Sequence, residues 1–193
     1  MLLNVNFFGG KGCCKLGGMK RAVFLDRDGV INRKAPEGQY VTRWENFEFL
    51  PRVAEAISAI NRAGWSVIVI TNQRCIAKGL VTAQGVEAIH GRMREHLAKM
   101  GARLDGVYFC PHDREPPCSC RKPEPGLLFA AARELEIDLS ASWVVGDSET
   151  DVEAGRRAGC RTVRIVADKS HLNGADLVAR SLFEASQELL EKC

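Results

Sequence analysis

Ala22-Val23-Phe24-Leu25-Asp26-Arg27-Asp28-Gly29-Val30-Ile31-Asn32 is the stretch from which the rest of the chain is read. Four apolar residues predict a buried strand, followed by two carboxylates, a glycine and an asparagine. Residues two apart in an extended chain point the same way, so Asp26 and Asp28 would project together beyond the strand end. Gly29 permits a sharp turn and a close backbone approach to a ligand. Neighbouring carboxylates repel unless a cation or a shared proton lies between them. A solvated Asp-Arg-Asp-Gly turn explains the same residues, and this stretch alone does not separate the two readings.

Outward from it, apolar segments alternate with helical patterns. A helix is predicted from Pro51 to about Ala63, ended by Gly64, with Val53, Ala56, Ile57 and Ile60 on one face. Trp65-Ser66-Val67-Ile68-Val69-Ile70 is too uniformly apolar for a wet face, as in a parallel sheet covered on both sides. It runs into Thr71-Asn72-Gln73. Thr82 would cap a helix reaching Lys99 or Met100, and Leu104 to Cys110 reads as a third strand. A proline-rich loop to Pro125, a helix over 126–136 and a strand over 142–146 follow, the last ending at Asp147. A helix over 149–158, a strand from Arg161 to Val166, a short strand over 176–178 and a helix from Leu182 complete the pattern. The alternation predicts an α/β fold: a doubly wound, Rossmann-like parallel sheet with helices on both faces. Ligands bind such sheets beyond the carboxyl ends of the strands, where Asp26, Asp28, Thr71 and Asp147 would converge.

The 193 residues fit one domain by size, and 46% hydrophobic with 26% charged residues is a globular composition. A net charge of +3 gives no electrostatic footprint for nucleic acid or membrane. No apolar run approaches the roughly 18 residues of a membrane helix. Residues 1–20 differ from the rest and read as a flexible extension ahead of a single domain over 21–193; Gly9-Gly10-Lys11-Gly12 resembles a phosphate loop, but no helical run follows. A monomer is the working expectation, the oligomeric state being left open.

Cys110-x-His112-x5-Cys118-x-Cys120 is a second signal. Three thiolates and an imidazole make a closed tetrahedral zinc set with no position for water, so this zinc would be structural. A chance group of reduced cysteines is the competing explanation. Cys118 and Cys120 are too close in sequence for an easy disulfide. Prolines 111, 116, 117, 123 and 125 exclude helix, so metal would fix a loop that leads directly to Arg121-Lys122. The cysteine usage points to a reducing, cytoplasmic setting. Cys160 and Cys193 carry no signal, and His90, His96 and His171 read as ordinary surface or helix-face residues.

Taken together, Asp26-x-Asp28-Gly29, strand-Thr71-Asn72, Arg121-Lys122-Pro123 and Gly146-Asp147-x-x-x-Asp151 resemble the haloacid dehalogenase-like phosphatase superfamily, over residues 21 to about 166. The first motif resembles its histidinol-phosphate and heptose-bisphosphate phosphatase group, in which the zinc-loop pattern also occurs. The resemblance implies Asp26 as nucleophile, forming an aspartyl-phosphate, and Asp28 as acid and then base. It implies Thr71 and Lys122 on the phosphate oxygens, with Mg2+ held by Asp26, Asp147 and the carbonyl of Asp28. Asp151 reads equally as metal support or as a helix-end residue favoured by the dipole.

Little chain remains for a large cap between these motifs, which leaves an open site. Thr71-Asn72-Gln73-Arg74-Cys75-Ile76-Ala77-Lys78-Gly79 resembles the heptose-bisphosphate branch, which implies a sugar bisphosphate substrate losing its 7-phosphate, with histidinol phosphate as the alternative. Asn72, Gln73, Arg74 and Arg121 are the candidate substrate contacts; Arg121 with Arg74, Arg33 or Lys34 could meet a second phosphate, or each could be a solvated charge. Cys75 stands where the group commonly has glycine, so a left-handed backbone there would be strained. The rival of another class is a phospho-receiver or metal-binding module without turnover, which has no use for a second carboxylate at Asp28.

Overall fold

The chain places β1 (Ala22–Leu25) at the centre of a six-stranded, wholly parallel sheet with β2 (Ser66–Asn72), β3 (Gly106–Cys110), β4 (Trp143–Gly146), β5 (Arg161–Ile165) and β6 (Leu177–Ala179). The order is β3-β2-β1-β4-β5-β6, so the winding reverses between β1 and β4. This computed structural model describes residues 19–167 and 174–192. The expected tail therefore lies outside the described residues as far as residue 18, as do His171 and Cys193. Lys20 is already tied into the fold: its amide donates to the Glu136 carbonyl at 2.8 Å, and its carbonyl accepts from Asp138.

Alternating side chains of β1 feed two cores. Val23 and Leu25 pack with α1 (Val53–Arg62), α2 (Ala83–Lys99) and α5 (Leu182–Glu191). Ala22 and Phe24 face the opposite way, against α3 (Gly126–Leu135) and α4 (Glu149–Arg157). Both faces are thus covered, which is why β1 is apolar at every position rather than at every second one. The predicted elements are all present, most with ends moved by one or two residues. The largest difference at a helix start is at α1, which begins at Val53 rather than Pro51. Arg52 is left-handed (φ 62°), a conformation no helix can include, and its guanidinium stacks on Phe183. Thr82 caps α2 as expected, its Oγ1 accepting from the Gly85 amide at 3.0 Å. No inserted cap appears among the described residues: between β1 and α1 the chain has only a loop with one 3-10 turn at Trp44–Asn46.

The expected strain at Cys75 is absent. Its backbone is not left-handed, and the side chain is fully buried with Val86 and Phe109. Its thiol points at the Gln73 amide oxygen, 3.6 Å away. A cysteine is accommodated here because the loop needs no positive φ at this position.

Candidate active site

The sheet carries the carboxylates to one edge. The Asp26 amide donates to the Val145 carbonyl at 2.9 Å, a last rung that sets Asp26 beside the end of β4. One residue beyond β4 is Asp147, and Asp151 comes from the first turn of α4. Carboxylate oxygens of Asp26, Asp147 and Asp151 lie within 4.8 Å of one another. Two glycines make that approach possible: a side-chain carbon at Gly29 (φ 92°) would overlap Asp147, and one at Gly146 would overlap Asp151.

Lys122 closes the group. Its ammonium lies 2.8 Å from Asp26 Oδ1 and 2.5 Å from Asp151 Oδ1, and it donates to the Ile70 carbonyl at 2.9 Å. All three donor positions of a buried lysine are filled, and the two carboxylates hold its pKa above the ordinary lysine value despite burial. Burial pushes Asp26 up to about 7, with Asp151 and Asp28 adding to the rise and Lys122 opposing it. Asp151 takes the helix-end role and also stands beside Lys122. Its Oδ2 accepts from the Ser148 amide and hydroxyl in a capping box, while Oδ1 faces Lys122.

Asp28 is held differently. Arg27 Nη2 donates to its Oδ1 at 2.9 Å and Oδ2 at 2.8 Å, Asn32 Nδ2 to Oδ1 at 2.9 Å, and Gln73 Nε2 to Oδ2 at 3.1 Å. Burial would raise its pKa, but Arg27 and these bonds outweigh it, so Asp28 stays below the usual carboxylate range. Each carboxylate of the Asp-x-Asp pair thus has its own cation, Lys122 for Asp26 and Arg27 for Asp28.

Of the candidate substrate contacts, Asn72, Gln73 and Arg121 line the cleft of 360 Å³ above this group, with Thr71. Arg74 does not; it pairs with Asp113 at 2.5 Å. Asn72 is engaged with Lys122, donating to its carbonyl and accepting from its amide, both at 3.1 Å. Gln73 donates to Thr71 as well as Asp28. Arg33 is paired with Glu48 on the surface, whereas Lys34 reaches over the cleft to Asp147 Oδ2 at 2.7 Å.

The residues whose part was missed are Arg27, Asn32 and His90. His90 is not a surface group: it is 2% exposed, and its Nε2 lies 3.1 Å from Arg27. A signal existed, because His90 falls on the buried stripe of Val86, Ile89, Met93 and Leu97.

Cys110, at the end of β3, meets His112, Cys118 and Cys120 in a compact cluster. Sulfur–sulfur separations are 3.2–3.6 Å, and His112 Nδ1 lies 3.3 Å from Cys120 and 3.5 Å from Cys110. A disulfide needs about 2 Å. A tetrahedron with metal–sulfur arms of about 2.3 Å has edges near 3.7 Å, so the four donors fit one zinc-sized centre. Arg121 Nη1 donates to the His112 carbonyl at 3.2 Å, tying the loop to the residue before Lys122.

The oxygen cluster passes the corresponding test for a hard divalent cation. Its donors are all carboxylates, and Asp147 Oδ1 is buried without a hydrogen-bond partner. Comparison with known proteins agrees. The HAD-hydrolase-like family model matches residues 119–184. D-glycero-beta-D-manno-heptose-1,7-bisphosphate 7-phosphatase of Pseudomonas aeruginosa is 40% identical over 147 residues, covering 76% of this chain and 82% of the relative. The Escherichia coli protein of the same name is 36% identical over 181 residues, covering 87% and 93%. The Bordetella bronchiseptica D,D-heptose 1,7-bisphosphate phosphatase, solved with magnesium and phosphate, superposes with a TM-score of 0.80 at 32% identity, covering 90% of this chain and 99% of that one.

Proposed function

The chain belongs to the heptose-bisphosphate phosphatase family of haloacid dehalogenase-like hydrolases, and from that premise we propose that it removes the 7-phosphate of a heptose 1,7-bisphosphate. It is a phosphoric monoester hydrolase. The observation that carries the reading is Lys122 lying 2.8 Å from Asp26 beside two further carboxylates, at the point where the sheet reverses. This arrangement presents a nucleophile next to a fixed positive charge, with donors for a hard cation already in place.

In the proposed reaction Asp26 attacks phosphorus and forms an aspartyl-phosphate, displacing the sugar oxygen. Thr71 and Lys122 hold the equatorial oxygens over which charge spreads, Lys122 with the donor it releases from Asp26 as that carboxylate binds phosphorus. Asp28 protonates the departing oxygen, then takes a proton from the water that hydrolyses the intermediate. Arg27, Asn32 and Gln73 keep Asp28 in the ionised form that the base step needs. A phosphate dianion placed beside Asp28 repels the carboxylate and raises its pKa, which supplies the acid step. Mg2+, held by Asp26, Asp147 and the Asp28 carbonyl with Asp151 in support, would supply the charge that lets an anionic nucleophile approach an anionic ester. Zinc in the Cys110, His112, Cys118 and Cys120 cluster would fix the loop that delivers Lys122. Arg121, Arg114 and Lys34 flank the cleft and would meet the second phosphate. A cytoplasmic location is part of the same proposal, supported by the free thiols of the described cysteines. A monomeric working unit is part of the same proposal.

The test is kcat/KM for heptose 1,7-bisphosphate against histidinol phosphate in Mg2+. A clear preference for the bisphosphate, with release from carbon 7, is the expected result; preference for histidinol phosphate refutes the substrate assignment.

A further inference from the structure

Arg27 is 1% exposed, and its guanidinium bridges two elements. Nη2 grips both oxygens of Asp28, while Nη1 lies 3.1 Å from His90 Nε2 on α2. A guanidinium has only donors, so Nε2 must accept, and His90 is neutral with its proton on Nδ1. Burial and the Arg27 charge agree with this, holding the His90 pKa down near 3. The imidazole packs edge-on against Phe109 of β3, ring centres 5.5 Å apart and planes at 63°. Its Nδ1 is buried without a hydrogen-bond partner, so Arg27 is its one polar contact among the described residues. Such an acceptor gives α2 a fixed grip on one arm of the guanidinium and leaves the other arm to Asp28.

We infer that His90 is a positioning residue for the reaction: through Arg27 it fixes the direction in which the Asp28 carboxylate faces the cleft. The alternative for a buried guanidinium tethered only to Asp28 is rotation with it, because one bidentate pair leaves the two groups free to move together. Asn32 and Gln73 hold Asp28 from the other sides, so loss of His90 loosens the carboxylate rather than releasing it. The inference rests on the reading of Asp28 as the group that protonates the leaving oxygen, and the experiment separates the two.

Protonation matters for a sugar alkoxide and little for p-nitrophenolate, which is a stable anion. The informative quantity is therefore the ratio of kcat/KM on the sugar phosphate to kcat/KM on p-nitrophenyl phosphate, since kcat/KM reports events up to phosphoryl transfer. Asp28→Asn should lower that ratio by about a hundredfold, the ordinary scale of general-acid catalysis. His90→Leu should lower it by about tenfold, as expected for slackening one charged hydrogen bond in the chain. His90→Gln, which restores a neutral acceptor towards Arg27, should recover most of the loss. Should the leucine variant not fold, Arg27→Lys, which keeps charge but loses the fork, must give the same selective loss. Equal losses on both substrates, or no loss, in variants that remain folded overturn the role of His90. A ratio unchanged by Asp28→Asn instead overturns the acid role of Asp28 beneath it.

Discussion

The β1/β4 edge and the loop from Cys110 to Cys120 each gather metal-ready groups at a point, but they hold them there by opposite means. At the edge, Asp26 and Asp147 follow the ends of two paired strands, and the buried ammonium of Lys122 offsets part of the negative charge. That cluster is a product of the sheet, its carboxylates placed by the ends of paired strands and by the first turn of α4. The thiol–imidazole cluster sits on chain with no helix or strand from 111 to 125, and no opposite charge draws its donors together. A loop without a backbone ladder is expected to take its shape from a bound metal. Under the proposed function, the first cluster would exchange ligands during turnover and the second would stay closed.

The sharpest way to break this contrast is Asp26→Asn. Removal of a nucleophile should lower turnover at least about a thousandfold. The fold should persist, because the change exchanges a carboxylate that burial disfavours for a neutral isostere, leaving Asp151 on Lys122. Steady-state rates with thermal unfolding check both parts; loss of fold along with activity would mean that the edge is not self-supporting.

The pH dependence of cation binding sharpens the same side. With its folded pKa raised from 3.8 to about 7, Asp26 keeps a proton that the unfolded chain has lost between those values. In that window the folded state binds more protons, so without a divalent cation this group makes the fold less stable as pH rises, and its effect is constant above about 7. Cation binding requires the carboxylate and expels the proton. Mg2+ affinity should therefore climb by up to about tenfold per pH unit below 7 and level off above it, as titration calorimetry would show. A flat profile would mean that Asp26 is ionised throughout.

Stripping the thiol cluster tests the other side. With Mg2+ in excess, verified zinc loss should reduce kcat about ten- to a hundredfold, the scale seen when support around a reacting group is removed. The loop should become open to proteolysis and the melting temperature should fall. Chelating Mg2+ alone should stop turnover and leave the near-ultraviolet circular dichroism unchanged. An unaffected rate after zinc loss would separate the loop from catalysis.

The two clusters were not equally legible in the sequence. The thiol cluster is local, all four donors lying between Cys110 and Cys120, whereas the carboxylate cluster joins Asp26 to Asp147 and Asp151 from the far half of the chain. The strands followed from apolar runs such as Val67 to Ile70, which no helix period explains, whereas their order in the sheet came only with the structure. Convergence of Asp26 and Asp147 was readable, because both follow strand ends of a parallel sheet; side-chain partners that arrive from helices and loops were not. Nothing near Asp28 announces His90, which arrives through α2, and nothing near Lys34 announces Asp147. The lysine was readable as a phosphate ligand but not as a shared counterion of Asp26 and Asp151. Cys75 is a related case: it has no positive φ and is buried with Val86 and Phe109, surroundings that its neighbours in sequence do not specify.

Asn72 is where the two regions meet, and it gives the smallest of these effects. It stands at the end of β2, in register with Cys110, where the zinc-ready loop begins, and its amide clasps the backbone of Lys122, where the loop ends. Asn72→Ala removes two neutral hydrogen bonds, about 2 kcal/mol together, enough for roughly a tenfold loss in kcat. Zinc content should be unchanged, since none of the four donors is touched. Asn72→Asp, which keeps the acceptor and loses the donor, should recover part of the loss if the Lys122 amide is the bond that matters. A rise in KM with kcat preserved would instead assign Asn72 to the substrate, and the loop would then reach the carboxylates by some route other than this rung.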